Sequence, residues 1–148
     1  MKQTDVLREQ HDAALAMARR LLELVDCYQP GSSAYPILLQ VNRLFGFLRA
    51  HLAQENAGLY RDMAASKDRR VAKAAKSFAK EMGGLAVEIE DFTRHWCCTA
   101  AISRGFEEFR ESVNNLVLAI SVRIERENRL LYALAELQDE EPIERSAA

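Results

Sequence analysis

The chain reads as an all-α protein, an up-down-up-down four-helix bundle built from two similar helical hairpins, on three observations. Apolar residues recur every three or four positions along most of its 148 residues, a helical and not a strand-like period. Only three prolines and six glycines interrupt that period. The connections between helical segments are short, and short connections make consecutive helices antiparallel neighbours.

The first helix is expected from Thr4, read as the N-cap, to about Cys27, with Leu7, His11, Ala14, Ala18, Leu21 and Val25 on one stripe. Tyr28 to Ser33 ends it with a proline and a glycine. A second helix starts between Ser33 and Pro36, since proline in a first turn lacks only an N–H that has no helical partner there. It runs to about Ala65 and carries Val41, Phe45, Leu48, Leu52 and Leu59. After a turn at Lys67 to Arg70, the third helix spans about Asp68 to Trp96, with Val71, Ala75, Phe78, Met82, Leu85, Ile89 and Phe92 inward. Gly83 and Gly84 should weaken its middle, kink it or admit a close neighbour. Cys97 to Gly105 leaves room for one short helical turn, and the fourth helix takes Phe106, Phe109, Val113, Leu116, Ile120, Ile124 and Leu131 to about Gln138. The bundle thus occupies 1–138, and 139–148 is expected to be a polar, frayed tail.

Composition excludes several classes of protein. Twenty Lys and Arg against 22 Asp and Glu give a net charge of -2, without a global pull toward nucleic acid or an acidic membrane. There is no signal-like apolar stretch near Met1 and no run of about 18 apolar residues, so a soluble, cytoplasmic protein is expected. Cys27, Cys97 and Cys98 are odd in number and lack zinc spacing, which suits reduced thiols. His95, beside Trp96, reads as structural. No glycine-rich phosphate loop, nucleophile elbow or Ser, His and Asp arrangement is present, so no enzyme is expected.

The most informative feature is a repeat. His51-Leu-Ala-Gln-Glu55-Asn-Ala-Gly-Leu-Tyr60 returns 72 positions later as Arg123-Ile-Glu-Arg-Glu127-Asn-Arg-Leu-Leu-Tyr132. A His and a Glu four residues apart on a helix point the same way, which is how bundles hold metals. The second copy keeps the carboxylate and replaces the imidazole with a guanidinium. His11 lies on the apolar stripe of the first helix, Glu55 between Leu52 and Leu59, and Glu127 between Ile124 and Leu131. Two imidazoles and two carboxylates therefore converge on one core, where unpaired charge is costly. A metal is one remedy. The other is Arg123, whose fork of donors can bridge Glu127 and Glu55. Tyr60 and Tyr132 read as packing residues whose hydroxyls lie within reach of the Glu and His side chains.

The order His11, His51-x-x-x-Glu55, an inward position on the third helix, then x-x-x-Glu127, resembles the hemerythrin-like family, whose HHE domains are four-helix bundles with a non-haem di-iron centre. The resemblance spans about residues 4 to 137, and the text His-Leu-x-x-Glu-Asn-x-x-Leu-Tyr around His51 is fairly specific. It implies a metal held by His11, His51, Glu55 and Glu127. Met82 and Arg123 stand where the family has further histidines, and Arg123 adds a repelling charge about where one iron would sit.

Two functions compete on this reading. In one, the bundle is a regulatory or sensing protein that weakly holds a single iron or other divalent metal through His11, His51, Glu55 and Glu127, with an open position for oxygen, nitric oxide or peroxide. In the other, it is a metal-free protein-interaction module in which Arg123 pairs with Glu55 and Glu127. A third class, a helical bundle that sequesters a transcription factor, is compatible with the shape and with the basic stripe of the third helix, whereas the family's reversible oxygen binding implies the full histidine set, which is absent here. Lys73, Lys76 and Lys80, with Arg69, fall within roughly 60° of one another opposite the core stripe, as a solvated face or a docking face for an acidic partner. Outward Leu and Ile residues are too scattered to define a dimer face.

Overall fold

The computed structural model describes residues 2–140, apart from the side chains of Met82 and Glu140. Residues 141–148 of the expected tail lie outside the described residues, and so does the inward placement of the Met82 side chain. The elements in order are α1 (Gln3–Asp26), α2 (Tyr35–Glu55), π1 (Asn56–Tyr60), α3 (Arg61–Ala64), α4 (Arg69–His95), α5 (Thr99–Arg104), α6 (Phe106–Arg126), π2 (Glu127–Leu131) and α7 (Tyr132–Glu140). Joined end to end, α2–π1–α3 and α6–π2–α7 make the second and fourth long helices, and the four-helix bundle follows. No helix among the described residues is long and apolar enough to cross a membrane.

Three local expectations are corrected. Lys2, not Thr4, caps α1, because its backbone N–H donates to Asp5 Oδ2 at 3.0 Å and the helix begins one residue before Thr4. Thr4 is buried in the first turn. At Gly83 and Gly84 α4 continues unbroken, and a Cβ added at either would meet nothing within 4 Å. Both glycines face outward, so they cost helix propensity but admit no close neighbour. Finally, the second and fourth long helices are not uniform α-helix: each contains one π-helical segment beside the repeated glutamate.

A polar layer divides the core in two. On α1, His11 separates Leu7 from Ala14; on α2, His51 and Glu55 follow Leu48 and precede Leu59. On the fourth long helix, Glu127 separates Ile124 from Leu131. Leu48, Ile124 and Ala14 belong to a large apolar cluster with Phe45, Phe92 and Phe109, while Leu7, Leu59 and Leu131 belong to a smaller one with Val71, Ala75 and Phe78. Apolar packing above and below fixes the height and direction of every side chain in the layer between.

Candidate metal centre

His11 is 1 % exposed, His51 4 %, Glu55 0 % and Glu127 1 %. Three of these four predicted ligands meet. One ligand atom from each of His11, His51 and Glu55 falls within a mutual distance of 4.8 Å. His51 Nε2 lies 3.1 Å from Glu55 Oε1, one turn along α2, and His11 Nε2 lies 3.9 Å from the same oxygen.

Each imidazole is fixed from behind. His11 Nδ1 is 2.8 Å from Asn128 Oδ1, and His51 Nδ1 is 2.7 Å from Gln10 Oε1, whose amide donates in turn to Gln54. A side-chain carbonyl only accepts, so both Nδ1 atoms carry the proton and both Nε2 lone pairs face the centre. Burial holds both histidines below their usual pKa, as neutral imidazoles, against the raising effect of the Glu127 charge. Burial also pushes the Glu55 carboxyl above its usual range. His51 Nε2 is buried without a hydrogen-bond partner among the described residues, and Glu55 Oε2 has none among them while both carboxylates are ionised; the Glu127 carboxyl lies within hydrogen-bond reach of Glu55, and sharing a proton there lowers the pKa of Glu55 and raises that of Glu127. Unmatched, inward-facing lone pairs on one imidazole and one carboxylate are the donor set a divalent cation takes, so the residues present fit a metal on this side.

Tyr132, also fully buried, places its hydroxyl between Glu55 Oε1, to which it donates, and His11 Nε2 at 3.1 Å. Its ring stacks on His11 with centroids 5.1 Å apart.

The other side of the layer is filled by protein. Arg123 donates through Nε to Glu127 Oε1 at 3.1 Å, through Nη1 to Glu81 Oε2 at 3.1 Å, and through Nη2 to the Tyr60 hydroxyl and the Phe78 carbonyl. Tyr60 donates to the second Glu127 oxygen at 3.1 Å. Both oxygens of Glu127 are thereby engaged, and every nitrogen of the Arg123 guanidinium has an acceptor. The expectation that Arg123 joins Glu127 to Glu55 is corrected: its second carboxylate is Glu81 on α4, whereas Glu55 accepts from the Tyr132 hydroxyl. Burial, then the neighbouring Glu55 charge, pushes the Glu127 carboxyl up to about 7, and Arg123 counters this. Glu81 also pairs with Arg126.

The tyrosines cross between the repeats: Tyr60 reaches Glu127 and Tyr132 reaches Glu55. The π segments make this geometry available. A π turn closes i to i+5 and holds one residue more than an α turn, so a tyrosine five positions after the glutamate comes round toward the same face. A strict 3.6-residue count hides it.

The remaining candidates lie apart from the layer. Lys73, Lys76 and Lys80 are exposed on the outer face of α4. His95 is exposed and meets Trp96 edge-on, and all three cysteines are free and exposed. Glu81, Gln10 and Asn128 were not identified from sequence. Only Asn128 left a trace there, as the residue that follows the glutamate in both copies of the repeat.

A bundle with one His-x-x-x-Glu pair, an inward helix-one histidine and a second inward glutamate defines a class of metal-binding helical domain. The chain belongs to the hemerythrin HHE cation-binding domain family, whose model matches residues 2–142. No curated protein and no solved structure matches it.

Proposed function

We propose that the chain is a non-enzymatic regulatory or sensing module that holds one divalent metal ion, iron foremost, on the His11, His51 and Glu55 side of its polar layer. The observation that carries this reading is the buried His51 Nε2, which has no hydrogen-bond partner among the described residues, facing the Glu55 carboxylate at 3.1 Å beside an imidazole whose tautomer Asn128 fixes. A bound metal would supply a Lewis-acidic, redox-capable centre with positions left for a small ligand. The chain's own residues do the rest. His11 and His51 offer neutral nitrogen, Glu55 offers anionic oxygen, and Tyr132 holds a hydroxyl on the remaining edge. Arg123 neutralises Glu127 and supplies fixed positive charge where a second cation would otherwise sit. Because Glu127 is held by Arg123, only three protein ligands remain for a metal, and a site with few ligands suits a protein that responds to metal supply or to a ligand of the metal.

The satisfied state of Arg123 also favours a second reading, a metal-free interaction module whose core is closed by the ion pair alone. Thermal unfolding separates the two. Under the first reading, saturating Fe(II) or Co(II) under anaerobic conditions raises the melting temperature of the protein but not that of an H11Q/H51Q variant. Equal shifts, or none, favour the second.

A further inference from the structure

Gly83 and Gly84 stand exposed in the middle of α4, and a Cβ at either would meet nothing within 4 Å, so the backbone there is open to approach from outside the chain. A groove runs beside them. Gly84 and Leu85 of α4 line it with Leu118, Ala119 and Val122 of α6, and the large side chains of Leu118 and Val122 are left exposed. Val87, one turn on from the glycines along α4, is exposed as well. The sequence does not show this apolar face because α4 and α6 each supply half of it.

The charges on the face are arranged so that the face complements itself. Lys73, Lys76 and Lys80 stand exposed before the two glycines, and Glu88, Glu90 and Asp91 after them. Glu90 pairs with Arg49 and Asp91 with Arg94, whereas Lys80 and Glu88, four residues to either side of Gly84, have no ion pair among the described residues. Two copies of α4 crossed antiparallel at Gly84 would set Lys80 of each beside Glu88 of the other. A parallel crossing would set like charges together. The register of α6 agrees with the antiparallel one. Arg123 meets Glu81 and Phe92 meets Phe109, so Gly84 stands level with the turn that holds Ala119 and Ile120. The same two-fold therefore brings Leu118 of each copy toward Val122 of the other.

We propose that this face docks a second copy of the chain, with α4 crossing α4 antiparallel at Gly84 in an isologous dimer. Absence of side chains at the crossing lets the helices approach closely, the exposed Leu and Val side chains leave water, and the two Lys80 to Glu88 pairs fix the direction. Glu81 and Arg123 line the same groove, so association also shields their ion pair, at the outer end of the polar layer, from water.

Sedimentation equilibrium of the full-length chain from about 5 to about 500 μM tests this, because a contact of two helices per copy is expected to hold in the micromolar range. The mean mass should rise from 16.8 kDa toward twice that value. Leu118→Glu should weaken association at least about tenfold, since it places a carboxylate in the contact. K80E and E88K should each weaken it at least about threefold, and the K80E/E88K chain, whose charges are exchanged, should recover it. All these positions are exposed, and circular dichroism of each variant should match the natural chain. Zero-length carbodiimide coupling in a mixture of isotope-labelled and unlabelled chains should give mixed-label links from Lys80 to Glu88, which lie about 12 Å apart along one helix and cannot be joined within it. A chain that stays monomeric over that range, association unchanged by Leu118→Glu, charge reversals that the double variant does not rescue, or mixed-label links that avoid Lys80 and Glu88 would overturn the proposal.

Discussion

Arg123 and Glu127, one helical turn apart, form a buried ion pair of 3.1 Å in the polar layer that also holds His51 and Glu55. The family fold has been kept while one half of its polar centre is filled by a guanidinium, and the other half retains two imidazoles and a carboxylate. Each consequence of that asymmetry can be measured.

Removing the guanidinium should be expensive. Arg123→Ala leaves Glu127 buried with only the Tyr60 hydroxyl among its present donors and is expected to destabilise the metal-free protein by about 3 to 5 kcal/mol in denaturant unfolding. A loss below about 1 kcal/mol, the scale of an exposed pair, would show that Arg123 does not compensate a buried charge.

Stability should depend on pH in two opposing ways. Glu127 is raised from 4.5 to about 7, so the stability it contributes is fully present below about pH 4.5 and is lost as pH rises through about 7. The histidines are lowered from 6.5, so their contribution is lost as pH falls below that value toward their folded pKa. Glu127→Gln should therefore remove a loss of about 3 kcal/mol otherwise seen between about pH 5 and pH 8, leaving only the acid-side decline. An unchanged pH profile in that variant would contradict the assignment.

Orientation behind the imidazoles should matter as much as the ligands' presence. Asn128→Ala frees His11 Nδ1 and Gln10→Ala frees His51 Nδ1, and each is expected to lower metal affinity about 10- to 100-fold in competition with a chromophoric chelator. Folded variants with unaltered affinity would show that these amides do not set the tautomers.

Much of this was legible in the sequence, for identifiable reasons. The apolar period placed His11, His51, Glu55 and Glu127 in one layer because each lies between two core residues of its own helix. What the period could not show was anything that depends on a π turn or on a neighbouring helix. Tyr60 and Tyr132 enter the layer only because each segment gains a residue per turn after its glutamate. Glu81 lies in a half-exposed position that no inward stripe selects, yet it takes the charge of Arg123 that sequence reasoning had given to Glu55. Asn128 and Gln10 are ordinary polar residues until the histidines they hold are in place.

If the substitutions on the last two long helices closed the second half of the centre, reversing them should reopen it. Arg123→His combined with Met82→His is expected to bind about one additional equivalent of Fe(II) or Co(II) relative to the natural chain. A folded double variant with no gain would mean that other features keep that half closed.

The central claim, one metal side and one arginine side, is tested most directly by counting metal. In anaerobic equilibrium dialysis against saturating Fe(II), elemental analysis should find about one bound equivalent per chain above the dialysate, lost in H11Q/H51Q and kept in Glu127→Gln. Less than about a tenth of an equivalent, or about two, would contradict it.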